Sequence, residues 1–166
     1  MTRAAGLPVD ARARVITVSD RSWAGDRADT SGPLLADLLG GLGFVLAGVF
    51  VVPDEADRIE AALREAVAEG IDLVVTTGGT GFAPRDVTPE ATRRVLDREA
   101  PGLAEALRQH RRDEVATTIL SRAVAGVVET TIVVNMPGST GGVRDGVEVL
   151  APVIGHAIAQ VRGGDH

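Results

Sequence analysis

A three-layer α/β fold, with a mostly parallel sheet covered by helices on both faces, follows from three observations. Apolar runs of strand length alternate along the chain with stretches of helical periodicity. The runs are continuous and β-branched, as in strands buried on both faces, rather than alternating as in half-exposed ones. Glycine and proline fall between runs and periodic stretches, where turns belong. The length of 166 residues fits one domain.

Each element follows from local signals. Arg14 to Ser19 (RVITVS) reads as the first strand. Ser31 is placed to cap a helix with Leu34, Leu35, Leu38 and Leu39 on one face, stopped by Gly40, Gly41 and Gly43. Phe44 to Val52 is the second strand. Asp54 or Glu55 opens a helix burying Ile59, Ala62, Leu63 and Ala66, with Gly70 as its C′ residue. Ile71 to Val75 is the third strand. Thr88 and Pro89 then start a helix with Ala91, Val95 and Leu96 facing inward. Pro101 breaks it and opens another, carrying Leu103, Ala106, Leu107 and His110. Asp113 to Gly126 fits either helix or irregular chain. Thr130 to Val134 is a strong final strand, and one apolar stripe runs from Val143 to Val161, kinked or split at Pro152. Residues 1–13 are expected to form a flexible tail and residues 14–162 a single domain.

Composition removes several classes of chemistry. The chain has no cysteine, which excludes disulfides, thiolate zinc sites, iron–sulfur clusters and cysteine nucleophiles. Every basic residue is Arg or His, so no P-loop lysine and no Schiff-base lysine exists. A net charge of −6 and 2% aromatic residues argue against a nucleic-acid partner. No apolar run approaches the ~20 residues that span a bilayer, and MTRAAGLPVDAR lacks a signal core. No membrane partner is expected, and a cytoplasmic location fits.

Polar loops follow all four strands of this reading: Ser19-Asp20-Arg21, Pro53-Asp54, Thr76 to Asp86, and Asn135 to Gly142. In a parallel sheet, ligands bind outside the carboxyl ends of the strands, so these loops share one rim. Thr76 to Gly81 (TTGGTG) is either a tight βα turn or a loop whose backbone and hydroxyls take phosphate oxygens. Asp86 suits Mg2+ and Arg85 suits phosphate, or the two form a surface ion pair. Asp54 caps the following helix or shares a metal with Asp86 across a phosphate chain. Ser19 and Asp20 bend the chain or meet a ligand, and Ser139 and Thr140 cap a helix or lend its start to an anion. His110, His156 and His166 lack metal-ligand spacing and read as structural or solvent-facing. Arg108, Arg111 and Arg112 read as a solvated face or oligomer contact. Trp23 packs, or covers a planar ligand.

Several stretches together resemble the MogA/MoaB family of molybdopterin-binding proteins, related to domains of gephyrin and of MoeA-type proteins. They are TTGGTG-x-x-x-RDVTPEAT (Thr76 to Thr92), VSDR-S-x-x-G (Val18 to Gly25), VPDE (Val52 to Glu55), ILSRAVAG (Ile119 to Gly126) and N-x-PGS (Asn135 to Ser139). The resemblance extends over Arg14 to Val161 and implies a MogA-like, Rossmann-like fold. It implies molybdenum-cofactor biosynthesis: AMP passes from Mg-ATP to the terminal phosphate of molybdopterin, and pyrophosphate leaves. Asp54 and Asp86 would then be catalytic and would hold Mg2+. Ser19, Asp20, Thr76, Thr77, Gly78, Gly79, Thr80, Gly81, Arg85, Thr88, Pro137, Gly138 and Ser139 would bind molybdopterin and its phosphate. A homotrimer, and a contact with the metal-insertion protein of the same pathway, belong to the same implication. The family's last loop often continues PGSPK, whereas this one reads PGSTGG and lacks the basic residue. Arg144 is a candidate substitute. A noncatalytic, MoaB-like binding or interaction protein is the alternative.

Overall fold

The computed structural model describes residues 2–164. His166, one of the three histidines considered above, lies outside them. The elements are β1 (Arg12–Val18), α1 (Asp20–Trp23), α2 (Ser31–Gly41), β2 (Val45–Val52), α3 (Ala56–Ala68), β3 (Leu73–Thr77), α4 (Thr88–Arg93), β4 (Arg98–Glu99), α5 (Pro101–Gln109), a 3-10 turn at Ala116–Leu120, β5 (Ala125–Val128), β6 (Thr131–Met136), α6 (Thr140–Leu150) and α7 (Ile154–Val161).

The six-stranded sheet has the order β2-β1-β3-β6-β5-β4. Its first four strands are parallel, as expected, and β5 and β4 add antiparallel at one side. Successive residues of the central strands feed two cores. Val15, Leu73, Val75, Ile132, Val134 and Met136 pack with α2, α6 and α7 on one face. Ile16, Val74 and Val133 pack with α3 and α4 on the other. Burial on both faces explains why β3 and β6 read as unbroken apolar runs.

Several local expectations change. The stretch 113–126 is neither one helix nor wholly irregular, because it ends in β5. A tight turn joins β5 to β6 through Glu129, which holds φ +51 while its N–H donates to Asp97 Oδ2 at 2.7 Å. Glycine or asparagine there would have announced the hairpin, and glutamate does not. Ser31 does not cap α2. Asp29 Oδ1 accepts from Gly32 N–H at 3.0 Å in its place, and Asp29 Oδ2 accepts from Thr17 Oγ1 at 2.7 Å. Pro152 splits the last apolar stripe into α6 and α7. Gly70, at φ +68, ends α3 with Ile71 N–H bonded to Ala66 O and its own N–H to Val67 O, the paired bonds of a Schellman motif.

The expected flexible tail is instead largely folded onto the body. Ala4, Leu7 and Ala11 are buried in the core beneath α7 and α2, and Arg3 donates to Gly43, Leu7 and Pro8 carbonyls. Three small or apolar residues spaced through a polar segment were too sparse to show a period.

Candidate functional site

Strand register sets the frame. Val18 pairs with Val52, Thr17 with Thr77, and Thr77 with Met136, so the four parallel strands end level with one another. The loops carrying Ser19, Asp54, Gly78 and Pro137 therefore meet on one rim. The sheet order puts β1 beside β3; the connection after β1 leads out to β2, and the one after β3 leads toward the opposite edge, which makes a crevice between them.

The glycine-rich loop is built from a relay of buried polar groups. Asn135 Nδ2 donates to Thr76 Oγ1 and to Thr92 Oγ1, both at 2.9 Å, and Asn135 Oδ1 accepts from Val124 N–H at 3.2 Å. Thr92 Oγ1 donates to Thr88 O at 2.8 Å, and Thr88 Oγ1 donates to Gly78 O at 3.0 Å. Thr77 Oγ1 donates to Pro137 O at 2.9 Å. The hydroxyls of Thr76, Thr77 and Thr88, considered above as ligand groups, are thus buried; those of Thr77 and Thr88 donate within the scaffold and that of Thr76 accepts there. Thr88 is the first residue of α4 rather than its cap.

Two glycines make the turn. Gly78 and Gly79 hold φ +105 and +63, a region unfavourable to side chains. A β-carbon on Gly79 would collide with Thr88 Oγ1 and lie 3.1 Å from Asp54 Oδ1. The amide of Gly78 donates to Met136 O at 3.1 Å. Among the described residues the amides of Gly79, Thr80 and Gly81 donate to no protein acceptor. Gly138 comes close to Gly78, so the second loop abuts the first.

Asp54 and Asp20 clasp each other. Asp54 Oδ2 accepts from Asp20 N–H at 2.8 Å, and Asp20 Oδ1 accepts from Asp54 N–H at 2.9 Å. Asp54 therefore does not cap α3. Arg85 forks onto Asp20, with Nε to Oδ2 at 2.8 Å and Nη2 to Oδ1 at 2.7 Å. The anticipated Arg85–Asp86 pair is absent among the described residues, and the guanidinium is engaged by Asp20. That fork holds the Asp20 carboxyl below its usual range. Burial pushes Asp54 up; the bond from Asp20 N–H opposes this, and the nearby charges of Asp20 and Asp86 add to it. Asp86 Oδ2 accepts from Ala83 N–H at 2.8 Å and faces Gly81, where a β-carbon would lie 2.8 Å away. A rim that makes an ionised Asp54 costly, with Asp86 close enough to contribute, is a donor set suited to a divalent cation. Arg122 pins this loop: Nε donates to Gly81 O at 2.7 Å, and its other nitrogens reach Asp86 O and Glu90.

Beside the loop lies a cavity of about 500 Å3, walled by Thr80, Phe82, Leu107, Val115, Leu120, Pro137, Ser139 and Gly142 among others. A smaller polar cleft of about 170 Å3 is lined by Ser19, Ser22, Arg27, Asp29, Thr77 and Gly138. Ser19 caps α1 by accepting from Ser22 N–H at 3.2 Å, and Ser139 caps α6 by accepting from Gly142 N–H at 3.0 Å. Sequence reading missed the cavity's far wall, the segment Val115 to Ser121, because that wall has no period. It also missed Phe82, which is 69% exposed at the mouth. Trp23 neither packs in the core nor lines the cavity; it is 53% exposed beneath the Arg58 guanidinium. Arg144 is exposed and absent from the cavity wall, so it does not replace the missing basic residue there. Arg108 is tied to Ala123 O at 2.9 Å rather than solvated, while His156 is exposed.

Comparison with known proteins follows the same lines. Residues 14–156 match the family described as "Probable molybdopterin binding domain". The chain is 42% identical over 93% of its length to a molybdenum cofactor biosynthesis bifunctional protein of Synechococcus elongatus, and spans 48% of that relative. It is 38% identical to the molybdopterin adenylyltransferase of Pyrococcus furiosus, covering 89% of each. A solved structure of MogA superposes with a TM-score of 0.88 at 46% identity, over 90% of this chain and 99% of that one.

Proposed function

The chain belongs to the molybdopterin-binding domain family, and from that premise we propose that it is a molybdopterin adenylyltransferase of molybdenum-cofactor biosynthesis. A phosphate oxygen of molybdopterin attacks the α-phosphorus of ATP, the bond to the β-phosphate oxygen breaks, and pyrophosphate leaves. The observation that supports this reading is that Asp54 lies by Gly79 and Asp86 by Gly81, on a loop whose Gly79, Thr80 and Gly81 amides are unspent, beside a cavity large enough for a small molecule.

Such a transfer needs positioned phosphates and neutralised charge more than covalent machinery. The nucleophile belongs to the substrate, which agrees with a chain holding neither Cys nor Lys. Mg2+ arriving with ATP would be held by Asp54 and Asp86 and would neutralise the triphosphate. The free amides of the glycine-rich loop take phosphate oxygens. Arg85 adds a donor fork once a competing anion draws it from Asp20. The pterin occupies the cavity under Phe82. Purified protein mixed with molybdopterin and Mg-ATP should yield adenylyl-molybdopterin and pyrophosphate, and Asp54→Ala should yield neither. Bound molybdopterin with no product from the wild type would sink the assignment.

The Thr140-Gly141-Gly142 stretch, which supplies Gly141 and Gly142 to the cavity wall and no cation, favours a second reading: a noncatalytic molybdopterin-binding protein. Under it, Asp54→Ala leaves cofactor production in cells unchanged.

A further inference from the structure

The surface exposed in the cavity beside the glycine-rich loop is mainly apolar, although His110, Asn135 and several Ser and Thr also line it, and Asp145 of α6 is the only carboxylate among its lining residues. Asp145 Oδ1 takes Arg111 Nε at 2.9 Å. Arg111 sits just past the end of α5 at φ +52, a conformation uncommon for a residue with a side chain. It also reaches Glu148 at 3.6 Å and Glu114 at 3.1 Å. His110, Asp145 and Glu148 offer ligand atoms within 4.8 Å of one another. A cation there would meet the guanidinium that already lies against both carboxylates. A carboxylate has about four lone-pair sites. Among the described residues Arg111 uses one oxygen of Asp145, and the other has no donor.

We propose that Asp145 reads the 2-amino-4-oxopyrimidine edge of the pterin ring. This rests on the molybdopterin reading above. That edge presents an amino N–H and a ring N–H side by side, two parallel donors that match a carboxylate. Apolar walls accept the flat ring, as in most small-molecule pockets, and one placed polar group fixes its orientation. Arg111 is a positioning residue that sets the carboxylate plane. A ring lacking the amino group is rejected, because the carboxylate then faces a carbonyl lone pair and stays unpaired.

The full chain is titrated with a soluble 6-substituted pterin and with the matching lumazine, in which a carbonyl replaces the 2-amino group, followed by ring fluorescence. The wild type should prefer the pterin by at least about tenfold, the scale of discrimination set by a lost polar partner. Asp145→Asn should abolish the preference, since its amide sets donor against donor. Glu148→Gln, at a residue that partners Arg111 and His110 but does not itself line the cavity, should retain it. If Asp145→Asn does not fold, as judged by thermal melting, the wild-type ratio alone decides. Equal binding of the two rings by the wild type overturns the role of Asp145 and leaves the cavity as a pterin site. So does a preference that survives Asp145→Asn, or one that Glu148→Gln removes. Failure of the wild type to bind either ring overturns the pterin site and this inference together.

Discussion

Asp54 carries opposite duties in folding and in the proposed reaction. Burial and neighbouring acids raise its pKa above the ordinary 3.8. A group raised on folding contributes its full stability below the unfolded value and loses it as pH rises through the folded value. At neutral pH the ionised Asp54 therefore costs stability. Asp54→Asn keeps an acceptor for Asp20 N–H and should melt higher than wild type at pH 7, with the gain vanishing near pH 3. The same variant should form no adenylyl-molybdopterin. Gly79→Ala addresses the turn instead: its side chain meets Thr88 and Asp54 at φ +63. A loss of about 2 kcal/mol in urea unfolding, in the range of backbone strain at such positions, should accompany loss of activity. Both residues were legible in the sequence, Gly79 from its place after a strand and Asp54 from its place at the rim. The clasp with Asp20 and the diversion of Arg85 were not, since they join residues 34 and 65 positions apart.

At the scale of elements, the site depends on Asn135 more than on any exposed group. It is completely buried on β6 and ties β3, α4 and the start of β5 together through Thr76, Thr92 and Val124. Asn135→Ala strands three polar partners in the core, each costing on the order of 1 kcal/mol or more. A destabilisation of about 3 kcal/mol is expected by chemical denaturation. Because the relay ends on Gly78 O, ligand affinity should fall even under conditions where the variant stays folded. Strands β1, β2, β3 and β6 were readable from their apolar runs. Strand β4 has two residues, and β5 opens Ala-Gly, so neither offered a pattern long enough to see. The wall at Val115 to Ser121 is placed by Arg108 and by the chain's return to β5, not by its own periodicity.

Across the whole molecule, Arg162 closes the end of the fold far from the rim. It forks onto buried Asp72, with Nε to Oδ1 at 2.7 Å and Nη2 to Oδ2 at 2.9 Å, and adds Asp10 at 2.9 Å. Asp72 Oδ2 also accepts from Arg12 N–H, so the C-terminal helix, the start of β1 and the start of β3 share one carboxylate. Arg162→Ala should cost about 2 kcal/mol in thermal or urea unfolding, the scale of a charged hydrogen-bonded pair with one partner removed. Catalysis at the opposite end should be unchanged. The edge strand β2 leaves Val45, Val49 and Phe50 exposed. The resemblance implies a homotrimer, for which light scattering should return three times the 17.2 kDa chain mass.

By itself the sequence determined the α/β class, the mostly parallel sheet and the rim on which the polar loops gather. Periodicity and turn residues are local or nearly local properties, and they are written in short windows. Only the tertiary structure decided which polar groups remain free for a ligand. Thr77 and Thr88 look like phosphate donors in the sequence and donate inside the core, while Asp145 looks like an ordinary helix-surface acid and lines the cavity. Hydrogen-bond capacity is finite, and how it is divided depends on partners that only the packed chain brings within reach.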